Sequence, residues 1–544
     1  MGLVKLSATL LTLAGSAIAA DLQPIQIKGS KFFYQNGTQF YMKGVAYQQE
    51  FGPNGSSNKE NTKYSDPLAD EAACKRDVPL LKELGTNTIR TYAIDPKQDH
   101  RACMQLLNDA GIYVISDLSE PATSIISDDP QWDTRLFDRY TAVIDDLAQY
   151  PNVLGFFAGN EVSHQENTTA ASAFVKAAVR DTKAYIKANV ENKKFHHWMG
   201  VGYAANDNAG IRYDIGHYFN CDNADDSIEF FGYNIYSWCG EASSFQVSGY
   251  DKQVDFFKSY SVPVFFAEYG CNTGGAANRK FKETAALYSD AMTGVFSGGI
   301  VYMYFQEAND YGLVKIENNR ASKVGGNFDA LKSEVTKATP KAVDINQYQP
   351  SGQLSECPAL SNKWLANKAL PPTPDKRLCD CMTKSRSCVA KSGIDTKTIS
   401  NIFGFICGKS PASCAGITAN GTTGIYGAYS MCDPEAKLNY ALDAYYNSLN
   451  KAKDACNFDG AAQVVSPKSD DSCSSALNAA NEVNKQVATA TSAVGGGGSK
   501  PTGKSDGSFA VHGAPVTHIF SVGDFAIGLY LAVALFAGAG MVAL

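Results

Sequence analysis

Three kinds of pattern are missing from this chain, and each absence excludes a class of function. No long run of like charge occurs and the net charge is only -7, which argues against nucleic acid as a partner. No Gly-x-Gly-x-x-Gly fingerprint indicates a bound dinucleotide. Neither a His-Glu-x-x-His pair nor a Gly-x-Ser-x-Gly elbow at a strand-to-helix turn stands out, and the adjacent His196 and His197 point to opposite faces of a strand. We therefore expect no metal site and no cofactor.

The N-terminus has the pattern of a secretory signal peptide. Lys5 is followed by an apolar run at residues 6–18 and then by the small residues Ala19 and Ala20. We predict that residues 1–20 are a signal peptide, cleaved near Ala19 or Ala20, and that the chain enters the secretory pathway.

The C-terminus ends in an apolar tail. Residues 525–544 carry no charge and follow a polar spacer and the small residues Ser505, Asp506 and Gly507. This arrangement predicts a GPI-attachment signal, with Ser505 as the candidate site and residues 519–544 as the tail that is removed. A C-terminal transmembrane helix is the alternative, because about 20 apolar residues can span a bilayer. The missing basic cluster after the tail favours the GPI signal.

Fourteen cysteines in a secreted chain predict disulfides rather than metal or redox sites. They form two groups, each with an even number, so each region can close its own bridges. The widely spaced group, expected in bridges, is Cys74, Cys103, Cys221, Cys239, Cys271 and Cys357. The crowded group is Cys379, Cys381, Cys388, Cys407, Cys414, Cys432, Cys456 and Cys473. Spacing alone does not fix the connectivity.

Asn-x-Ser/Thr triplets predict N-glycans, and hence surface positions, at several places. The acceptor residues are Asn36, Asn54, Asn167 and Asn420. Such a modification is typical of a secreted chain.

Between residues 21 and 340, apolar runs typical of strands alternate with segments of helical periodicity. The candidate strands are residues 40–47, 86–92, 112–118, 153–160, 195–203, 228–236, 262–269 and 300–305. The candidate helices are residues 74–84, 100–110, 133–149, 170–188 and 276–295. Eight β-α units over roughly 300 residues predict an α/β fold, a (β/α)8 TIM barrel spanning residues 21–340. An open doubly wound sheet is the alternative, disfavoured by the missing dinucleotide fingerprint.

The rest of the chain changes composition twice. Residues 341–377 contain Pro371-Pro372-Thr373-Pro374 and predict an extended linker. The cysteine-dense region, residues 378–476, predicts a small module stabilised largely by its bridges. Residues 477–518 are rich in Ala, Asn, Ser and Gly and predict a flexible stalk that includes the GPI-attachment region.

Two carboxylates stand at the ends of apolar runs. Glu161 follows residues 153–160, and Glu268 ends residues 263–268. A run buried on both faces that stops at an acid is typical of a parallel strand, with the acid at the end that carries the chemistry in a barrel. Glycoside cleavage needs one carboxylic acid to protonate the leaving oxygen and a second carboxylate across the sugar ring. The pair therefore predicts a glycosidase-type site, with the fourth and seventh strands facing each other across the barrel mouth.

Polar and aromatic residues accompany this pair. Asn160 precedes Glu161, where its amide can bond the sugar 2-hydroxyl. Tyr236 and Tyr302, on the sixth and eighth strands, are candidates to orient the nucleophile. Tyr92, on the second strand, is a candidate for the sugar floor.

A structural alternative is that the two glutamates pair with Arg90 and Arg212 in a buried ion network. The Asn160-Glu161 pair and the aromatic-rich runs before each acid favour catalysis.

Four motifs resemble those of a known family. They are Ser119-Glu120-Pro121 through Ser127-Asp128-Asp129-Pro130, Gly159-Asn160-Glu161-Val162, Phe266-Ala267-Glu268-Tyr269-Gly270-Cys271 and Gly298-Gly299-Ile300-Val301-Tyr302-Met303-Tyr304-Phe305. In these segments, and over essentially its whole length, the chain resembles the fungal GPI-anchored β-1,3-glucanosyltransferases of glycoside hydrolase family 72. The cysteine-dense module resembles the carbohydrate-binding module of family 43.

The resemblance implies a retaining enzyme with Glu161 as acid/base and Glu268 as nucleophile. Such an enzyme cuts β-1,3-glucan internally, holds the new reducing end as a glycosyl-enzyme and passes it to the non-reducing end of another glucan chain. We expect a monomer on the outer face of the plasma membrane, GPI-anchored, or in the cell wall.

The resemblance also assigns subsite residues and two bridges. The glucan subsites are expected to contain Tyr92, Asn160, Asp207, Arg212, Tyr236 and Tyr302, with the loop from Ser119 to Ser127. The implied disulfides join Cys74 with Cys103 and Cys239 with Cys271, the second of which pins the segment after the nucleophile.

Two other functions stay open at this point. One is an endo-β-1,3-glucanase, because the same carboxylates serve hydrolysis and transfer alike. The other is a non-catalytic wall protein that binds glucan through its cysteine-rich module, with exposed tyrosines among Tyr426, Tyr429, Tyr440, Tyr445 and Tyr446 as contacts.

Overall fold

Eight parallel strands close into a barrel in the structure, a computed structural model that describes residues 22–49, 64–273, 279–468 and 470–490. A small antiparallel sheet precedes the barrel: β1 (Gln26–Lys28), β2 (Lys31–Phe33) and β3 (Gln39–Phe40). The barrel strands are β4 (Met42–Ala46), β5 (Thr88–Thr91), β6 (Tyr113–Asp117), β7 (Val153–Asn160), β8 (Gly200–Asn206), β9 (Phe230–Asn234), β10 (Val264–Tyr269) and β11 (Phe296–Val301). They neighbour one another in chain order, and β11 pairs with β4. The predicted TIM barrel is confirmed, and the closure excludes the open sheet.

Helices cover the outside of the barrel. They are α1 (Glu71–Glu83), α2 (Arg101–Asp109), α3 (Thr134–Leu147), α4 (Ser172–Glu191), α5 (Arg212–Phe219), α6 (Tyr250–Phe257), α7 (Lys282–Leu287) and α8 (Asn327–Lys337). A 3-10 helix, Glu166–Ala171, precedes α4, and a hairpin of β12 (Val314–Glu317) and β13 (Arg320–Lys323) follows β11. Asp70 and Asp133 cap α1 and α3, where each carboxylate accepts from a backbone N–H that has no partner within the helix.

Aromatic side chains fill the end of the barrel where the strands begin. The Phe230 ring lies 5.4 Å from that of Phe157 and 5.8 Å from that of Phe265, and Phe32 from β2 packs against Phe230 at 6.2 Å. All four residues are fully buried. The small sheet therefore closes the barrel at the end opposite to the carboxylates.

Two strands lie elsewhere than predicted. The fifth begins at Gly200 rather than at Phe195, because the Phe195 backbone is bound to the end of α4 and its ring packs 6.2 Å from that of Tyr185. The eighth begins earlier, at Phe296. It includes Gly298 and Gly299, which a pattern of large apolar residues does not count. Gly298 is required there, because its φ is +93° and a Cβ would lie 2.1 Å from the Met42 carbonyl oxygen.

Helix prediction was also incomplete. The apolar periodicity missed α5, α6 and α8, of which α5 and α6 are only two turns long. Of the helix predicted at residues 276–295, the structure has α7, and residues 274–278 lie outside the described part.

Three disulfides stabilise the barrel. Cys74 is bonded to Cys103 and Cys239 to Cys271, the two pairs implied by the resemblance. The third joins Cys221 to Cys357. It ties the segment after the barrel to the loop that follows α5.

The C-terminal module contains short elements around four disulfides of its own. Its elements are α9 (Lys376–Lys384), β14 (Cys388–Ala390), α10 (Thr396–Lys409), the 3-10 helix Pro411–Ile417, β15 (Ala419–Asn420), β16 (Ile425–Tyr426), α11 (Pro434–Ser448), the 3-10 helix Phe458–Gly460, β17 (Ala462–Val464) and α12 (Asp471–Thr489). Its bridges are Cys379–Cys432, Cys381–Cys473, Cys388–Cys456 and Cys407–Cys414. The boundary predicted at residue 476 falls inside α12, which Cys473 bonds to α9.

The connecting segment lies against the barrel. Trp364 is fully buried and packs 5.2 Å from the ring of Tyr218 on α5. Arg180 on α4 donates to the Pro371 carbonyl at 2.9 Å. The segment is thus irregular in backbone but fixed in position.

Several sequence features concern the surface and the ends. Asn36, Asn167 and Asn420 are exposed, and their glycosylation stays a prediction. Asn54, Ser505, the signal peptide and the apolar tail lie outside the described residues. Of the tyrosines proposed as glucan contacts in the module, Tyr429 and Tyr446 are buried in its core, and Tyr426 packs 6.0 Å from Phe174 of the barrel.

Substituting Gly298 tests the close approach of β11 to β4. Gly298→Ala should lower the free energy of unfolding by roughly 2–4 kcal/mol, because the new Cβ collides with backbone at a positive φ. Gly294→Ala is the matched control, since a Cβ there has no atom within 4 Å, and it should change stability by less than about 0.5 kcal/mol. Urea titration measures both, and equal stabilities would refute the steric argument.

Candidate active site

Glu161 and Glu268 stand at the same mouth of the barrel. Glu161 directly follows β7, and Glu268 is the fifth residue of β10. Glu161 has a φ of +50°, a left-handed conformation that costs a non-glycine residue about 1 kcal/mol, and its N–H donates to the Ala204 carbonyl on β8 at 2.8 Å. Strain of this kind is kept where surrounding structure fixes a functional side chain.

A chain of hydrogen bonds joins the two carboxylates. Asn234, at the end of β9, donates through Nδ2 to Glu161 Oε1 at 2.9 Å and to Asn160 Oδ1 at 3.0 Å. Arg90 donates through Nη2 to the same Asn160 oxygen at 3.0 Å and through Nη1 to Glu268 Oε1 at 3.4 Å. The Asn160 side chain therefore links the donor that holds Glu161 to the donor that reaches Glu268.

Arg90 is a fully buried cation in the centre of the barrel. Its Nε and Nη2 each donate to Asp117 at 3.0 Å, and its Nη1 also donates to the Ala267 carbonyl at 3.2 Å. Its guanidinium carbon lies 4.3 Å from the centre of the Tyr92 ring and 4.5 Å from that of Phe157. Such bidentate pairing and stacking fix an arginine in one orientation.

The alternative, a buried ion network of the two glutamates with Arg90 and Arg212, is found only in part. Arg90 does reach Glu268, but its close carboxylate partner is Asp117. Arg212 pairs with Asp207 at 2.6 Å. The closest ion pairs at this mouth thus use two other carboxylates, Asp117 and Asp207.

Two tyrosine hydroxyls orient Glu268. Tyr92 donates to its Oε1 at 2.9 Å and Tyr236 to its Oε2 at 2.8 Å. Burial raises the pKa of both tyrosines well above the ordinary value, and the Glu268 charge raises it further, so both hydroxyls keep their protons. Tyr92, expected in the sugar floor, therefore also holds the carboxylate.

Glu161 has a raised pKa. Burial raises the pKa of Glu161 to about 7, with a further contribution from the Glu268 charge and an opposing one from the Asn234 hydrogen bond. A carboxylic acid that keeps its proton in mildly acidic solution can donate it to a leaving group. Glu161 is thus suited to donate a proton. Glu268, in contrast, is held by three donors: Tyr92, Tyr236 and Arg90.

Tyr302 forms an aromatic wall beside Glu268. Its ring lies 6.4 Å from those of Tyr92 and Tyr236 and 5.3 Å from that of Tyr311, all edge to face. Its hydroxyl accepts from Asn309 Nδ2 at 3.5 Å. Of the two tyrosines predicted to orient Glu268, Tyr236 bonds it directly, and the part of Tyr302 stays a prediction.

The other predicted residues lie around the mouth. Asp207, next to the end of β8, accepts a hydrogen bond from the Tyr233 hydroxyl and is paired with Arg212. Ser127 is buried and donates to the Val162 carbonyl at 2.6 Å, so this hydroxyl supports the backbone next to Glu161. The Ser119 carbonyl accepts from Arg139 of α3 at 3.5 Å.

Sequence reasoning missed three residues of the site. Asn234 and Asp117 end β9 and β6, so the rule that found Glu161, a polar residue at the end of a buried run, also indicates them. Gln48 had no such signal. Its Oε1 accepts from the N–H groups of Tyr92 and Ala93, each at 3.1 Å, and this fixes the turn after β5.

Two kinds of feature are absent from the described residues. No group of three or more His, Cys, Asp or Glu side chains there could hold a metal ion. No described helix is long and apolar enough to cross a bilayer.

A closed parallel barrel that presents an acid and an oriented carboxylate at the ends of its strands defines a barrel enzyme of the glycoside-cleaving class. The chain belongs to the glucanosyltransferase family, whose profile matches residues 14–339. A second profile, that of the X8 domain, matches residues 386–463.

Curated relatives and solved structures agree with this assignment. The chain is 52% identical to a 1,3-beta-glucanosyltransferase of Arthroderma benhamiae, over 99% of each chain. It is 44% identical to the 1,3-beta-glucanosyltransferase gas1 of Schizosaccharomyces pombe, over 88% of this chain and 86% of that one. The structure of Saccharomyces cerevisiae Gas2p in complex with laminaripentaose superimposes with a TM-score of 0.73 at 41% identity, over 81% of this chain and 97% of that one.

The raised pKa of Glu161 predicts how activity depends on pH. If Glu161 must be protonated, kcat/KM should fall as the pH rises through about 7, because the raised folded-state pKa keeps the acid form up to that value. Asn234→Ala removes the hydrogen bond that lowers this pKa, so its alkaline limb should move to higher pH. Profiles at constant ionic strength check both, and an unmoved limb in the variant would contradict the assignment.

Removing a tyrosine donor tests the predicted role of Glu268 as nucleophile. Tyr236→Phe should lower kcat roughly 100-fold, because a preorganised donor to Glu268 is lost while the ring remains. Tyr185→Phe is the control, since its hydroxyl binds the exposed Asp145 on the outside of the barrel. Initial rates on a β-1,3-gluco-oligosaccharide measure both, and equal losses would mean that the Tyr236 hydroxyl has no specific part.

Proposed function

We propose that this protein elongates β-1,3-glucan by a retaining double displacement. It cleaves one chain internally, holds the new reducing end and transfers it to the non-reducing end of a second chain. The observation that supports this best is the unequal pair of carboxylates, Glu161 with a pKa of about 7 and Glu268 held by two tyrosine hydroxyls and Arg90. Laminaripentaose bound to Gas2p supports a β-1,3-linked substrate.

In the first displacement Glu161 acts as acid. Its proton passes to the glycosidic oxygen as that bond breaks, and a Glu268 oxygen bonds the anomeric carbon. The leaving chain departs with a new hydroxyl, and the remaining chain is held as a glycosyl ester of Glu268. Tyr92 and Tyr236 keep the attacking carboxylate in the orientation that this step requires.

In the second displacement Glu161, now ionised, acts as base. It takes the proton of an acceptor sugar hydroxyl, whose oxygen bonds the anomeric carbon while the ester to Glu268 breaks. Two inversions restore the β configuration. Water in place of the acceptor would give hydrolysis, so transfer requires that sugar occupy the acceptor side of the cleft.

Asn160 is suited to bind the sugar held at Glu268. Its amide oxygen accepts from Arg90 and Asn234, which directs its NH2 group away from both. A hydrogen bond from that group to the 2-hydroxyl strengthens as charge develops in the transition state. Tyr302, Asp207, Arg212, Ser119 and Ser127 would line the neighbouring subsites.

We further propose that the protein works outside the cell as a GPI-anchored monomer that acts on wall glucan. All fourteen cysteines are bonded in seven disulfides, as is typical of oxidising compartments. The exposed acceptor asparagines and the signal-like sequences at both ends agree with this placement.

Product analysis tests the proposed activity. The purified protein is incubated with a reducing-end-labelled β-1,3-gluco-oligosaccharide at mildly acidic pH, and the products are resolved by mass spectrometry. Products longer than the substrate are expected. Only shorter products would make the protein a hydrolase, and an unchanged substrate would leave a glucan-binding function.

The two carboxylates are tested in the same assay. Glu161→Gln and Glu268→Gln should each lower the rate at least about 1,000-fold, because each removes one of the two chemical roles while preserving shape. Glucan binding should be retained in both. Glu317→Gln, on the exposed hairpin after the barrel, should keep the full rate, and unchanged activity in either active-site variant would refute its assignment.

A further inference from the structure

The C-terminal module contacts the barrel through a buried lysine. Lys437, in the first turns of α11, is only 8% exposed and donates through Nζ to Gln131 Oε1 of the barrel at 2.6 Å. The carboxylates of Asp133, Asp129 and Asp433 favour its charge, and Arg135 opposes it. A lysine is buried in this way only where a specific partner compensates its lost hydration.

The module also supplies a hydrogen-bond acceptor at the start of a barrel helix. The N–H of Thr134, the first residue of α3, donates to the Met431 carbonyl of the module at 3.0 Å. The first N–H groups of a helix have no partner within it and must find one elsewhere. The position of this end of α3 is therefore fixed from the module as well as by its own cap, Asp133.

The segment that the module holds leads directly to the acid/base. Four residues before Gln131, Ser127 donates to the carbonyl of Val162, the residue after Glu161. On the same helix, Tyr140 donates to the Ala158 carbonyl of β7 at 2.8 Å. Side chains of residues 127–140 thus donate hydrogen bonds to the backbone on both sides of the strained residue Glu161.

We propose that Lys437 is a positioning residue for the active site: by holding Gln131 it fixes residues 127–134 and, through Ser127, the backbone that aims Glu161. The module then has a part in catalysis that is separate from any sugar binding. Lys437 itself does not touch substrate, and its effect is transmitted by the Gln131 and Ser127 contacts. This inference rests on the proposed function, because its effect is measured on the acid/base step.

The test compares three variants of the full chain. Lys437→Met keeps the apolar stem and removes the donor, Lys437→Arg keeps a donor, and Lys485→Met is the control, since Lys485 pairs with the exposed Glu482 on α12. We expect Lys437→Met to lower kcat about tenfold with a smaller change in KM, and to shift the alkaline limb of the pH profile. Lys437→Arg should recover most of the rate, and Lys485→Met should match the wild type.

Two further measurements separate positioning from general destabilisation. A double-mutant cycle with Gln131→Leu should be non-additive, because either change alone breaks the same contact. Hydrogen exchange should become faster at residues 128–136 of Lys437→Met, and this readout does not depend on activity. If the wild type fails to elongate glucan, the proposed function fails, whereas faster exchange would still support the contact.

The proposal is overturned by either of two results. One is a Lys437→Met enzyme whose rate, pH profile and exchange equal those of the wild type. The other is a loss of rate that is matched by the fall in melting temperature, with an unmoved pH profile and no recovery in Lys437→Arg. In that case Lys437 would serve only the stability of the fold.

Discussion

The buried guanidinium of Arg90 is the interaction on which the rest of the site depends. A charge removed from water in the middle of a barrel is tolerated only if it is paired and hydrogen-bonded. Asp117 supplies the bidentate partner, and the remaining donors reach Asn160, Glu268 and a carbonyl of β10. Four strands, β5, β6, β7 and β10, are thereby held in register around one cation, and each delivers a polar group to the same mouth.

Different hydrogen-bond donors then distinguish two chemically identical acids. Glu161 has one amide donor and a raised pKa, whereas Glu268 has two hydroxyl donors and the Arg90 cation. The difference follows from which strand ends surround each side chain. A retaining enzyme needs such inequality, because one group must begin as an acid and the other as a nucleophile.

The cysteine-rich module is packed to the barrel through the loop that precedes α3. Its own core and four bridges make it a separate unit, yet Lys437 and the Met431 carbonyl provide partners that the barrel lacks. The connecting segment contributes as well, with Trp364 buried against α5. The two parts of the chain therefore share polar contacts in the segment that supports the backbone next to Glu161.

The sequence by itself determined the barrel, the two acids and the cysteine-rich module. Buried parallel strands must be apolar on both faces, so a run that ends in Glu161 or Glu268 is visible without coordinates. The same rule extends to Asn234 and Asp117. Only the tertiary structure decided that Arg90 lies closer to Asp117 than to Glu268, that Tyr92 holds Glu268, and that Lys437 reaches Gln131. Each of these contacts joins residues that are distant in the chain. Whether two such residues meet depends on distances of a few ångströms, which no local sequence pattern encodes.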